Sequence, residues 1–182
     1  MKSEQLAYLM DEMFSLTLMG TVLRGKLYRE ASTEAQKDSF RRALRSALER
    51  LAKRYGRVVS DAQHFANIDK LAKVLSNTHP EALIGDRFRI GSAQKALNLY
   101  LKYMWCLGRI PTPPHCPFDA MVLARVPGCH DVRWTQLDSL SEYRRVVQCA
   151  KAAASGMSLA DWELRLYNAA QPRALPKTID ST

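Results

Sequence analysis

The stretch that decides the fold is GSAQKALNLYLKYMWCLGRIPTPPHCPFDAMVLARV, residues 91–126. Its first half repeats apolar residues three and four positions apart, which predicts a helix with one buried face. Ser92 is expected to cap this helix and Gly108 to end it. Three prolines within four residues then predict a stiff, extended linker. A short helix follows over about residues 118–125, so two helix starts are held at a fixed separation.

The same helical period continues through most of the chain, and strand alternation is almost absent. The first helix is expected to run from about residue 3 to residue 28. Thr33, Ser141 and Ser158 have the side chains and positions of helix N-caps. The sequence therefore predicts an all-α fold, a compact array of about seven helices of unequal length.

We expect one helical domain over residues 1–170. Within it, the helices before His79 (residues 1–79) could form one layer against those that follow (residues 80–170). Residues 171–182 have two prolines, few large apolar side chains and no period, so they are predicted to be disordered.

Charge points to a polyanionic partner. The 182 residues include 27 Lys and Arg against 18 Asp and Glu, a net charge of +9. Such a surface attracts nucleic acid, and DNA is the partner we expect. The alternative is a basic protein with no polyanion partner.

The remaining composition indicates a cytoplasmic, nucleoid-associated monomer without an obligate protein partner. No apolar run approaches the roughly 20 residues of a membrane span, and Glu4, Asp11 and Glu12 interrupt any signal-peptide core. The four cysteines form no CxxC and are expected to be reduced. Phosphate-binding loops, HExxH, GxSxG and the zinc deaminase signature are all missing from the sequence.

Candidate chemistry concentrates at the two helix starts. Lys95 lies about one turn inside the first, where the helix dipole and apolar neighbours would lower its pKa, as a nucleophilic lysine requires. Asp119 opens the second, and the stiff linker fixes its direction. The free amides at Gly91 and Ser92 would suit a phosphate. Lys95 and Asp119 can therefore face the same small volume.

This arrangement resembles the helix-hairpin-helix DNA glycosylases, especially the 8-oxoguanine type and its compact archaeal relatives. Gly91, Ser92 and Lys95 resemble the hairpin and its catalytic lysine, and the Pro117–Phe118–Asp119 sequence resembles the family's later carboxylate signature. The resemblance covers residues 85–126. It departs from the family in the wide spacing of Gly85 and Gly91.

The resemblance implies a DNA glycosylase, with a possible AP-lyase step, that flips a damaged or modified base out of the duplex for repair or antiphage defence. Lys95 would attack C1′ of the sugar and Asp119 would stabilise the developing positive charge. No cofactor or metal is implied. Residue type alone suggests that the following residues contact the base: Gln94, Asn98, His115, Trp105 and Trp134. Contacts to the DNA backbone are expected from Gly91, Ser92, Arg87 and Arg89.

Other interpretations of these residues stay open. Lys102, seven residues on and on nearly the same face, is a possible substitute for Lys95. Asp119 could simply cap its helix. His115 and Cys116, with Cys129 and His130, invite a zinc interpretation that their spacing disfavours.

Two rival functions also stay open: a non-catalytic basic DNA-binding or regulatory protein, and a helical interaction protein in which residues 91–119 are a packing motif. The first rival would draw on the basic run of the second helix, which is either a solvated face or a track for phosphates. That run comprises Arg41, Arg42, Arg45, Arg50, Lys53, Arg54 and Arg57.

Overall fold

The computed structural model describes residues 3–170, and the predicted tail at 171–182 lies outside the described residues. The described part is all-helical, as predicted. Its only β-type pairing is one isolated antiparallel bridge between Tyr28 and Leu83. The seven α-helices are α1 (Ser3–Leu18), α2 (Glu34–Ala52), α3 (Asp61–Thr78), α4 (Ile90–Cys106), α5 (Ala120–Leu123), α6 (Leu140–Ala154) and α7 (Leu159–Ala170).

The central element is α4, the helix of the deciding stretch. It packs against α1, α2, α3 and α6. Its first turns are buried all round, because Ile90 to Asn98 are all buried. The helix is therefore enclosed by helices from both halves of the chain.

The first helix is shorter than predicted. It ends as an α-helix at Leu18 and continues as a π-helical turn, Met19–Leu23. Gly20 lies in that turn, where a Cβ would come within 2.9 Å of the Leu99 side chain. The close approach to α4 explains the glycine. Tyr28 lies beyond the helix, in the bridge to Leu83.

Two of the predicted caps are wrong. The N-cap of α4 is Arg89, and Ser92 is buried in the first turn with its N–H donated to the Arg89 carbonyl. The N-cap of α6 is Ser139, whose hydroxyl accepts from the Glu142 N–H, and Ser141 is already inside the helix. Thr33 caps α2 as predicted, in a capping box with Gln36.

By length and composition, one helix of the described residues could cross a bilayer. An 18-residue window of the segment Ser3–Leu23 has a mean hydropathy of 1.3, and 33% of that window is buried in the fold. Glu4, Asp11 and Glu12 interrupt this segment, so its apolar residues do not form a continuous run. A core helix of a soluble protein passes the same test, and α1 packs on α4.

A tight backbone contact fixes how α4 begins. A Cβ on Gly91 would lie 1.7 Å from the Trp134 carbonyl oxygen, and the Gly91 N–H donates to the Leu137 carbonyl at 2.8 Å. Only glycine allows the loop before α6 to pass this close to a helix. The loop that carries Trp134 is thereby fixed against the start of α4.

We predict that Gly91→Ala destabilises the protein by about 3 kcal/mol, because the methyl group forces the two backbones apart. Thermal unfolding should show a Tm lower by roughly 10 °C. Gly56→Ala is the matched control, since a Cβ there meets nothing within 4 Å. Equal melting temperatures for the Gly91 variant and the wild type would contradict the contact.

Candidate functional site

Lys95 and Asp119 lie together in the structure. The Lys95 ammonium is 3.7 Å from Oδ2 of Asp119, with side chains 6% and 30% exposed, respectively. The other oxygen, Oδ1, accepts a hydrogen bond from the Val122 N–H at 3.1 Å and so caps α5. One carboxylate oxygen thus fixes Asp119 to its helix, and the other faces the lysine. Capping and pairing are both present in the same side chain.

Trp134 forms a wall of the same site. The Lys95 Nζ atom lies 4.2 Å from the centre of the Trp134 ring, within cation–π distance. Trp134 itself is buried. The lysine is therefore enclosed by an aromatic face and a carboxylate, on a helix whose first turns are in the core.

Burial dominates the charge state of this lysine. Removal from water lowers the pKa of Lys95, the nearby Asp119 carboxylate opposes that effect, and the positive charge of Arg24 adds to it. The net result is a pKa below the ordinary value. Such an amine gives up its proton more readily than a surface lysine, which is the property a nucleophile needs.

Lys102 has a different environment. Its Nζ lies 2.9 Å and 2.7 Å from the two carboxylate oxygens of Glu163, and their side chains are 12% and 4% exposed. The same Nζ is 4.7 Å from the ring centre of Tyr167. Burial raises the pKa of Glu163 and Lys102 opposes that shift. This bidentate pair ties α4 to α7 and keeps the Lys102 ammonium engaged, so Lys95 is the better-placed amine.

The polar residues expected to contact a base are engaged inside the protein. The Gln94 amide bonds the carbonyl of Gly91 and both backbone groups of Phe118. The Asn98 amide contacts the Cys116 carbonyl and accepts from His64. These partners use the hydrogen-bonding capacity of both amides, so the structure assigns them a structural role.

His115 closes the same buried network. Its Nδ1 lies 2.8 Å from the Tyr143 hydroxyl, and its Nε2 lies 3.5 Å from the Asp61 carboxylate, which also pairs with Lys151. Burial lowers the pKa of His115, whereas the contact with His115 lowers the pKa of Asp61. Both ring nitrogens of His115 face protein groups, and within residues 3–170 no cluster of three or more His, Cys, Asp or Glu could hold a metal ion.

The remaining predicted residues separate into two groups. Trp105 is half-buried in the last turn of α4, ten residues beyond Lys95, and does not belong to this site. Gly91 and Ser92 are buried and their N–H groups are bonded to Leu137 and Arg89, so they have no free amide for a phosphate.

Arg87 and Arg89 line a small cleft of about 180 Å³. Arg87 pairs with Asp138 and remains 59% exposed, and Arg89 donates to the Thr135 carbonyl. Lys26 and Gly25 line the same cleft. A Cβ on Gly25 would lie 3.0 Å from the Trp134 ring, so the cleft adjoins the wall of the lysine site.

Arg24 and Glu163 are contributors that the sequence did not reveal. Arg24 follows directly after the π-helical turn Met19–Leu23 and Glu163 lies within α7, and neither has a motif around it. A charged residue at 163 on the inward face of α7 was the one available signal, because the buried face of an amphipathic helix seldom carries an unpaired charge.

Comparison of the chain with known family models, with curated proteins and with solved structures gave no match.

We predict opposite stability effects for two lysine substitutions on α4. Lys95→Met should stabilise the fold by about 1 kcal/mol at neutral pH, because it removes a charge that burial disfavours. Lys102→Met should destabilise it by about 3 kcal/mol, because Glu163 keeps a buried charge without its partner. Urea unfolding of both variants measures the difference.

The pH dependence of the stability difference between Lys95→Met and the wild type provides the control. The folded-state pKa of Lys95 is below its unfolded value. The destabilisation caused by burying the charged amine is therefore complete below the folded-state pKa, and it fades as the pH rises towards the unfolded value of about 10.4. The advantage of Lys95→Met should therefore shrink between neutral pH and pH 10. A loss of stability in Lys95→Met as large as that in Lys102→Met would contradict a strained buried amine.

Proposed function

We propose that this protein is a DNA glycosylase in which Lys95 is the nucleophile and Asp119 is its carboxylate partner. The observation that carries the proposal is the Lys95–Asp119–Trp134 cluster, a buried amine 3.7 Å from a carboxylate and 4.2 Å from an indole ring. An amine with a lowered pKa is suited to forming a covalent bond at an electrophilic carbon.

The reaction follows from these groups. The Lys95 lone pair forms a bond to C1′ of a flipped nucleotide as the glycosidic bond breaks, and the electron pair leaves with the base, which takes up a proton. Asp119 stabilises the positive charge that develops on the sugar and accepts a proton from the attached nitrogen. The C1′–O4′ bond then breaks as O4′ takes up that proton from Asp119, and the opened sugar is left as a protonated imine on Lys95. Loss of a C2′ proton and of the 3′ phosphate would cleave the strand.

Charge near the site supports DNA as the substrate. The cleft with Lys26, Arg87 and Arg89 adjoins Trp134 and carries three basic side chains of the net +9 chain. Phosphate contacts of this kind position a duplex without reading its sequence. Of the three basic side chains, Arg87 is paired with Asp138, just as Arg41 and Arg45 of α2 are paired with acidic residues, so the cleft is favoured by its place beside Trp134.

Enclosure of the lysine has a consequence for binding. Because only 6% of the Lys95 side chain is exposed, a sugar reaches Nζ after the Trp134 ring has moved aside. We therefore expect the segment around Trp134 to rearrange when a flipped nucleotide enters. The flipped base would then take the place of the Lys95 ammonium against the Trp134 ring and stack on it.

Borohydride trapping tests the proposal. Incubation with duplexes that each carry one damaged or modified base, followed by reduction, should give a covalent protein–DNA adduct with the wild type. Lys95→Met should form no adduct, and Asp119→Asn should form it at least about 100-fold more slowly, as expected for loss of a charge-stabilising group.

The matched control is Lys102→Arg, which keeps a cation against Glu163 and should trap normally. A panel of substrates with no adduct, together with salt-dependent DNA binding, would favour a non-catalytic DNA-binding protein. Lack of any salt-dependent DNA binding would contradict both functions.

A further inference from the structure

Gln94 is a fully buried side chain whose amide bonds the backbone at two places, Gly91 and Phe118. Its Nε2 donates to the Phe118 carbonyl at 2.8 Å, and its Oε1 accepts from the Phe118 N–H at 3.2 Å. A second donation from Nε2 reaches the Gly91 carbonyl at 2.9 Å. The amide thus pairs with both backbone groups of one residue, as a neighbouring strand would.

The two ends of this pairing are adjacent to the two groups of the site. Gln94 precedes Lys95 in α4, and Phe118 precedes Asp119 at the start of α5. The cap that Asp119 forms with Val122 fixes the carboxylate within α5 alone. The Gln94–Phe118 pairing connects the start of α5 directly to the turn of α4 that carries the lysine.

Gly91 extends the same connection to the third side of the site. Its carbonyl accepts from Gln94 while its N–H donates to Leu137, and its missing Cβ admits the Trp134 carbonyl. The lysine, the carboxylate and the indole are therefore all positioned by contacts with the first turns of α4.

We propose that Gln94 is the positioning residue of the site, and that its amide sets the separation between the Lys95 amine and the Asp119 carboxylate. Its importance for catalysis rests on the proposed function. Its geometric role does not, because the separation can be measured on the free protein without DNA.

The direction in which the pKa of Lys95 shifts in a Gln94 variant distinguishes a positioning role from a general loosening of the core. Burial lowers the pKa of Lys95 and Asp119 opposes it. If the core merely loosens, water enters and the pKa of Lys95 rises. If Asp119 moves away while Lys95 stays buried, the pKa falls, because the opposing charge is lost.

The experiment is a double-mutant cycle on the full chain, read by NMR of ¹³C-methylated lysines. Asp119→Asn is made in the wild type and in Gln94→Met, which keeps the length of the side chain and removes the amide. In the wild type, Asp119→Asn should increase the uncharged fraction of Lys95 about tenfold at a fixed pH. In Gln94→Met the uncharged fraction should already be increased, and Asp119→Asn should add less than about twofold.

Asn67→Leu provides the matched control. It removes a buried amide of the same core that donates to Tyr55 at 3.0 Å and accepts from Gln63, rather than bonding Phe118. The tenfold effect of Asp119→Asn should persist in that background. If Gln94→Met does not fold, Gln94→Asn takes its place, because it keeps the amide but withdraws it by one methylene.

The proposal is overturned if Asp119→Asn changes the Lys95 charge state equally with and without the Gln94 amide, or if the pKa of Lys95 rises in the Gln94 variants. The outcome is independent of the trapping experiment. If trapping is normal and Asp119→Asn has the same effect in both backgrounds, the positioning role alone is rejected. If Gln94→Met removes the effect of Asp119→Asn but no substrate gives an adduct, the glycosylase alone is rejected.

Discussion

The first turns of α4 are buried together with polar side chains, and those side chains have to find partners within the protein. An amide placed in the core without hydrogen bonds costs on the order of several kcal/mol, and an unpaired charge costs more. Gln94 meets this constraint with Phe118 and Gly91, and Asn98 meets it with Cys116 and His64. The proline-containing linker is therefore held by α4 side chains along its backbone.

Two side chains of this group are not fully paired: the buried Ser92 hydroxyl has no hydrogen-bond partner, and Lys95 has the 3.7 Å contact with Asp119. Glu163 contacts the neighbouring Lys102 with two oxygens below 3 Å, whereas Asp119 approaches Lys95 to 3.7 Å with one. The two lysines are seven residues apart on one helix, so the comparison separates a structural ion pair from a loosely compensated amine. A loosely compensated buried charge is costly to the fold and is typical of functional sites.

Much of the fold followed from the sequence because helical period and capping residues are local signals. Thr33 and Gln36 form their capping box within four residues, so that helix start was predictable. Ser141 failed as a cap because Ser139, two residues earlier, caps α6 instead, and Ser92 failed because α4 already begins after Arg89, so Ser92 lies inside the first turn. The approach of Trp134 to Gly91 is set by a loop more than forty residues away, and no local pattern records it.

The candidate site, like the fold, was predictable from the sequence only where local signals decide it. The pairing of Lys95 with Asp119 was predictable because a stiff linker joins two helix starts, and the pair is present. The contributions of Arg24 and Glu163 depend on how the turn after residue 23 and α7 pack, which the local sequence does not specify. Gln94, Asn98 and His115 were expected to face a ligand, yet burial of the linker requires them as its hydrogen-bonding partners.

Peptide mapping of the reduced protein–DNA adduct tests the central claim most directly. After digestion of both protein and DNA, mass spectrometry locates the residue that carries the reduced sugar fragment. A reactive Lys95 predicts the mass addition on that lysine alone, in the peptide that contains the first turns of α4. An adduct on Lys102, on another lysine or on the N-terminal amine would contradict the assignment of Lys95 as the nucleophile.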